Sequence, residues 1–344
     1  MASPVPAQKS ALNVVMGAMT FGEPGTDGAR VHDIKDVEAI LDVFRSHGHT
    51  EIDTARVYAK GTSEEYLGKI NWKDKGFKIE TKLAPTKGRA NVDPENEITH
   101  TPEGLRKYLQ ISLKALNADS LEIWYLHAPD RSVPYEVTLK AVNDLYKEGY
   151  FKRFGISNYA AWEVAEIVGI CKANGYIQPT AYQGIYNAVH RAVEPELFPA
   201  LRKFGISFYE FNPLGGGLFT GRYNSPDDAP EPGSRFDPAK VQGKNYRNRY
   251  WKEPYFQALA VIRKAAEKHN LSLPEVALRW LSHHSYLSRE HGDAVLIGAS
   301  SVKHIEQNLI DLEKGPLPDE VVKALDEAWL IAKPHASSYF REFN

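Results

Sequence analysis

Asp53, Tyr58, Lys82 and His127 are ionisable residues placed at or just beyond the ends of short strand-like runs. The runs are His49-Thr-Glu-Ile-Asp53, Phe77-Lys-Ile-Glu-Thr-Lys82 and Leu121-Glu-Ile-Trp-Tyr-Leu-His127. A phenol with a pKa of about 10 is a poor acid or base near neutrality unless its surroundings tune it. An ammonium close to Tyr58 would stabilise tyrosinate and lower that value, so Lys82 is expected to do the tuning, with Asp53 holding the lysine charged and oriented. His127 could donate to a carbonyl oxygen. The set suits hydride addition to a carbonyl, where charge grows on oxygen and must receive a proton away from water. The hydride itself has to come from a cofactor. Taken singly, each residue has an ordinary alternative: Asp53 a turn cap, Tyr58 a packing residue, Lys82 a solvated strand end, His127 a satisfied core histidine. The combination is what carries the chemistry.

The elements that must position these residues recur regularly. Strand-like runs fall near residues 12–19, 49–53, 77–82, 121–127, 153–157, 180–186, 206–211 and 294–299. Most intervening stretches carry helical apolar stripes: Val37, Ile40, Leu41 and Phe44 in one, Leu105, Leu109, Leu113 and Leu116 in another. Pro102 and Pro134 sit where helix starts tolerate proline. Further helices are expected over 161–173, 195–203, 253–268, 273–283, 302–312 and 319–332. Such alternation implies parallel strands with right-handed crossovers. About eight strands, with no glycine-rich fingerprint after the first, favour one closed (β/α)8 TIM barrel over an open doubly wound sheet. Strand ends of such a barrel would deliver Ser157, Asn158, Gln183, Asn212 and Ser300 to the same rim as the first four residues. Two segments break the rhythm: a long stretch over 221–253, rich in Pro, Gly and Asp, which reads as a lid-like loop, and an aromatic tail over 333–344 expected to dock over the site.

Composition narrows the class. A length of 344 residues fits a single α/β barrel domain over 1–344. A net charge of -2 with interspersed acids and bases offers no field for nucleic acid or anionic membranes. The single cysteine, Cys171, permits no intramolecular disulfide and points to a reducing compartment. With no apolar run near 20 residues and no signal-peptide pattern, a cytoplasmic protein with no membrane partner is expected. His283-His284 and His47-Gly-His49 lack further ligands, so no metal site is expected.

The chain resembles the aldo-keto reductases over almost its whole length. Asp53-x-x-x-x-Tyr58, Lys82 and His127 match the catalytic tetrad of that superfamily. Gly155-Ile-Ser-Asn158, Gln183, Asn212-Pro-Leu-Gly-Gly-Gly-Leu-Phe-Thr-Gly221 and Ser300-Ser-Val-Lys-His-Ile-Glu-Gln-Asn308 look like its cofactor-binding stretches. Tyr125-Leu-His-Ala-Pro-Asp130, Ser157-Asn-Tyr-Ala-Ala-Trp-Glu-Val-Ala-Glu166, Tyr246-Arg-Asn-Arg-Tyr-Trp-Lys252, His291-Gly-Asp-Ala294 and Tyr339-Phe-Arg341 are similar to the aflatoxin aldehyde reductase and succinic semialdehyde reductase family.

The resemblance implies roles. Tyr58 would be the general acid, Lys82 and Asp53 its tuning pair, His127 the donor orienting the carbonyl. Ser157, Asn158 and Gln183 would hold the nicotinamide carboxamide of NADPH. Asn212 lies in the same cofactor-binding stretches, and the backbone of Leu214, Gly215, Gly216 and Gly217 would wrap the pyrophosphate. Ser300, Ser301, His304, Gln307 and Asn308 would meet the adenosine end. His304, beside Lys303, stands where many relatives carry an arginine for the 2'-phosphate, with Arg222 and Arg235 as compensating candidates; NADPH is still expected over NADH. Tyr246, Arg249 and Arg341 would face the substrate, and paired arginines suggest an aldehyde, ketone or dicarbonyl bearing an acid group. A homodimer is compatible with the family. Two other readings stand beside this one: a cofactor-binding interaction protein like the channel-associated β subunits of the superfamily, and a Schiff-base lyase built on Lys82.

Overall fold

The computed structural model describes residues 4–87 and 97–342. Residues 343 and 344 of the expected tail therefore lie outside the described residues. Eight strands, β1 (Asn13–Gly17), β2 (Glu51–Asp53), β3 (Lys78–Leu83), β4 (Leu121–Leu126), β5 (Phe151–Ser157), β6 (Pro179–Ile185), β7 (Ser207–Phe211) and β8 (Ala294–Gly298), pair in parallel and in chain order. β1 closes on β8 with Val15 opposite Leu296, so the sheet is a closed barrel. This is a (β/α)8 TIM barrel, as the alternation of elements predicts. Period-two alternation splits its side chains between two cores. Val15, Ile123, Tyr125, Ala181, Tyr209, Ala294 and Leu296 form a small cluster inside the barrel. A larger shell between strands and helices includes Val14, Met16, Ile79, Trp124, Phe154 and Phe208.

The surrounding helices are α1 (Ile34–Ser46), α2 (Thr62–Lys69), α3 (Pro102–Ala115), α4 (Tyr135–Lys147), α5 (Ala161–Asn174), α6 (Leu197–Phe204), α7 (Val241–Tyr250), α8 (Glu253–Lys268), α9 (Leu273–His283), α10 (Val302–Leu312) and α11 (Asp319–Ala332). Their starts are encoded locally. Asp33 caps α1 by accepting from the Lys35 amide at 2.8 Å, and Thr101 caps α3 by accepting from the Gly104 amide at 3.2 Å, with Pro102 at the first position. The stripe Val37, Ile40, Leu41 and Phe44 is buried as its spacing requires, each such side chain contributing about 1.5–3 kcal/mol of apolar burial.

Two helices were not expected. α2 occupies the stretch after Tyr58 and buries Tyr66 and Leu67, but its eight residues are too few to show an apolar period. α7 lies inside the segment expected to be a lid-like loop. Its sequence is polar throughout and buries only Gly243 and Tyr250, so no amphipathic signal announces it. The 221–253 segment is ordered instead by its own aromatics: Trp251 lies 4.9 Å from both Tyr223 and Phe236, ring centre to ring centre, and its indole N–H donates to Pro226 O at 2.8 Å. Among the described residues no helix is long and apolar enough to cross a membrane.

Candidate active site

Asp53 and Lys82 end adjacent strands and meet inside the C-terminal mouth of the barrel. The Lys82 ammonium donates to Asp53 Oδ1 at 2.5 Å, to Oδ2 at 2.6 Å and to the Thr54 carbonyl at 2.7 Å. These three bonds use all three of its hydrogens. Gln183, from β6, donates Nε2 to Asp53 Oδ1 at 2.8 Å across the barrel interior. Lys82 is wholly buried and Asp53 nearly so, and a buried pair of this kind holds only when both partners are present and hydrogen-bonded.

Tyr58 follows on a tight turn in which Ala59 and Lys60 both take left-handed backbone, φ 46° and 55°. Non-glycine residues reach that region only when neighbours force them. Here Arg56 reaches a Glu64 oxygen at 2.6 Å while the other Glu64 oxygen accepts from Thr81 Oγ at 2.6 Å, pinning the turn to α2 and β3. The result places the Tyr58 ring 5.0 Å from Lys82 Nζ and edge-on to His127, ring centres 5.7 Å apart. All four expected catalytic residues are thus together. Burial, and then the Asp53 carboxylate, push the Tyr58 phenol above its ordinary value. The hydrogens of Lys82 go to Asp53 and Thr54, so the ammonium makes no hydrogen bond to the phenol. A raised value favours the protonated phenol, which suits a proton donor.

Beside this cluster lie the expected carboxamide residues. Asn158 has left-handed backbone, φ 64°, and its amide donates to His127 O at 2.9 Å and Ser157 Oγ at 2.8 Å. Asn212, φ 70°, accepts from the Tyr246 hydroxyl at 3.0 Å, while its own amide nitrogen is buried with no hydrogen-bond partner among the described residues. Gly215, Gly216 and Gly217 follow with φ 58°, 67° and 110°. At Gly216 a Cβ would fall 2.2 Å from the Tyr246 ring, so only glycine lets that ring lie against the turn. The amides of Gly215 and Gly217 are used within the turn, bonding Asn212 O and Leu214 O, which removes two of the donors expected to wrap a pyrophosphate.

Cations gather on the neighbouring side. Burial, then Arg235 and Arg222, work against the charge of Arg30, and burial with Arg222 and Lys303 lowers the His304 imidazole, leaving it neutral at pH 7. Arg222 pairs with Glu231. Arg30 and Arg235 form no ion pair with described residues, and Arg235 lies over the Tyr246 ring at 5.5 Å. The orphaned Asn212 amide and this self-repelling set fit a ligand with a hydrogen-bond acceptor and phosphates. Ser301 caps α10, accepting from the His304 amide at 3.2 Å, and Ser300 Oγ meets His304 Nδ1 at 3.0 Å. Gln307 is turned along its own helix to Asp311 at 3.1 Å, and Asn308 is buried.

Tyr246 and Arg235 are close enough for their charges to act on Tyr58. Arg341 sits half-buried where the tail crosses the mouth, its amide donating to Asn158 O at 2.9 Å. Arg249 lies near enough to buried His190 to act on its imidazole, after burial itself, and the His190 ring contacts Ser337 O at 3.0 Å. A cavity of about 350 Å³ at the opposite mouth, lined by Asn13, Glu51, Lys78, Arg153 and Tyr209 among others, contains none of the expected residues. No group of three or more His, Cys, Asp or Glu among the described residues is arranged to hold a metal ion.

The family model for the aldo/keto reductase family matches residues 13–330. The chain belongs to the aldo/keto reductase family. It is 50% identical to an aldo-keto reductase of Pseudocercospora fijiensis over 88% of this chain and all of that one. It is 45% identical to aldo-keto reductase family 7 member A3 of Homo sapiens, over 95% of this chain and 96% of that one. To aflatoxin B1 aldehyde reductase member 2 of Homo sapiens it is 44% identical, over 95% and 89%. The protein is therefore an oxidoreductase of this family. Several residues of this aldo-keto reductase's site escaped the sequence reading: Arg30, the Arg56–Glu64 pin, and Glu80. Glu80 faces inward on β3 one layer below Lys82 and accepts from Tyr125 at 3.1 Å, and burial, with Glu51 and Asp53 nearby, pushes its carboxyl well above the usual range. A lone acid inside a strand gives no local signal of this.

Proposed function

We propose that this aldo-keto reductase reduces aldehydes and ketones, those bearing a carboxylate in particular, to alcohols with NADPH. The observation that carries this reading is the meeting of Asp53, Lys82, Tyr58 and His127 at one mouth of the barrel, with Tyr58 held as a protonated phenol. When bound, the reduced nicotinamide supplies a hydride to the carbonyl carbon. Tyr58 Oη gives its proton to the carbonyl oxygen as negative charge grows there, and His127 orients that oxygen. Ser157, Asn158 and Gln183 hold the carboxamide, and Gln183 ties that position to Asp53. The Asn212 amide, the turn over 214–217 and the arginines 30, 222 and 235 take the phosphates. Neutral His304 is a weak phosphate partner, so preference for NADPH over NADH rests on Arg222 and its neighbours. Arg341 receives the substrate carboxylate, a planar two-pronged match. Similarity to the human aflatoxin B1 aldehyde reductases supports the substrate class.

The test is loss of NADPH absorbance, with NADH in parallel, on mixing the protein with succinic semialdehyde, 2-carboxybenzaldehyde and 4-nitrobenzaldehyde. Faster turnover of the carboxylated aldehydes with NADPH is expected. Tyr58→Phe should bind NADPH normally and lose a factor of about 10²–10⁴ in kcat. Tight NADPH binding with no turnover of any substrate would favour the interaction-protein reading instead.

A further inference from the structure

Residues 333–342 leave α11 and run across the catalytic mouth as a strap. Its anchors are the contact of His190 with Ser337, the Tyr339 hydroxyl shared between Glu196 and the Ala161 amide, and the Arg341 amide on Asn158 O at 2.9 Å. The last of these matters most. Asn158 has left-handed backbone, and its side chain is tied to His127 O and Ser157 Oγ. The remaining direction of that peptide is fixed by the strap, whose Arg341 amide donates to its carbonyl.

The strap is gripped from its other side by Arg131. Its guanidinium donates to Arg341 O at 2.9 Å and Glu342 O at 3.3 Å. The same guanidinium is held by Glu163 through two bonds, Nε to Oε1 at 2.8 Å and Nη2 to Oε2 at 3.2 Å. Glu163 is wholly buried in the first turn of α5 and also accepts from the Ala160 amide at 2.8 Å and the Tyr135 hydroxyl at 2.6 Å. A planar fork bonded on both edges has one orientation, so Arg131 sets where residue 341 lies to within a bond's tolerance.

We propose that Arg131 is a positioning residue for the cofactor: by fixing the strap it makes the Arg341 amide hold Asn158 in the conformation that receives the nicotinamide carboxamide. Arg341 then serves two ligands with different parts, its main chain acting on the cofactor site and its guanidinium on the substrate anion. The inference rests on the proposed function in assigning Asn158 to the carboxamide and Arg341 to the carboxylate.

The experiment compares NADPH dissociation constants, read by protein fluorescence, with KM and kcat for 2-carboxybenzaldehyde in the wild type, Arg131→Met, Arg341→Ala and Arg341→Pro. Proline removes the amide that bonds Asn158, whereas alanine keeps it. Loss of one such bond is expected to weaken NADPH about five- to tenfold in Arg341→Pro, and Arg131→Met should do the same. Arg341→Ala should bind NADPH within about twofold of wild type while its KM for the carboxylated aldehyde rises about tenfold or more. If Arg131→Met does not fold, because Glu163 is left buried without its cation, the proline and alanine pair carries the test. NADPH affinity unchanged in Arg341→Pro, or weakened equally in both Arg341 variants, would overturn the proposal. Failure of the wild type to bind NADPH at all would instead overturn the functional reading beneath it.

Discussion

Lys82 has no hydrogen left to give to Tyr58. Its three bonds to Asp53 and Thr54 make it a fixed charge that props the carboxylate, and the phenol above it responds to burial and to Asp53. The residue types and their order were legible in the sequence, but the direction of the phenol's shift was not, because it is set first by burial and then by the Asp53 carboxylate. The consequence can be measured. In the reduction direction the protonated phenol is the active form, and a value raised above the ordinary 10 keeps it protonated through the alkaline range. Turnover number for reduction is therefore expected to stay flat from about pH 6 to pH 9. A fall with an apparent pKa near 7 or 8 in the wild type, abolished in slower-reacting Tyr58→Phe, would show that Lys82 does lower the phenol.

At the scale of elements, strands and amphipathic helices were read from periodicity, while α2 and α7 were missed. Both lack an apolar period long enough to see, and α7 stands only because Tyr223, Phe236 and Trp251 fold its segment into a compact unit. β7 holds another feature invisible from periodicity. Tyr209 points into the barrel and Phe208 out, so Glu210 shares the outer face, wholly buried with neither carboxylate oxygen hydrogen-bonded to the described residues. Burial alone raises its pKa well above the usual range. Between its unfolded value and its raised folded value, the folded protein holds a proton that the unfolded chain has released, so stability falls as pH rises. Glu210→Met removes that linkage. The variant's advantage in urea unfolding should grow as pH rises above the ordinary carboxylate value, by at most about 1.4 kcal/mol per pH unit. A difference that does not change with pH would mean that Glu210 has a partner in solution.

At the scale of the molecule, one closed sheet joins the first strand to the last. β1 is paired to both β2 and β8, so no cut through the sequence separates two cores. The chain is expected to unfold in urea as a single transition. Six tryptophans spread from Trp72 to Trp329 report on distant parts of the barrel, and their fluorescence should change at the same urea concentration as far-ultraviolet ellipticity. An earlier, separate transition would identify the 221–253 segment, tied to the stretch after β1 by the bond of the Gln242 main-chain amide to Asp27 at 3.1 Å, as an independent unit.

By itself the sequence determined the period of each strand and most helices, the caps at Asp33 and Thr101, and the identities of Asp53, Tyr58, Lys82 and His127, because these are local patterns or residue types that survive in one dimension. Tertiary structure decided what those residues are to one another. Closure of the barrel brought Gln183 across to Asp53, 130 positions along the chain, and the strap brought Arg341 back to Asn158. Burial, which no local window measures, shifts the titration of Tyr58 and Glu80 upward and of His304 downward. Electrostatics and hydrogen bonding act through space, so charge state and partnership become defined only when the chain has folded.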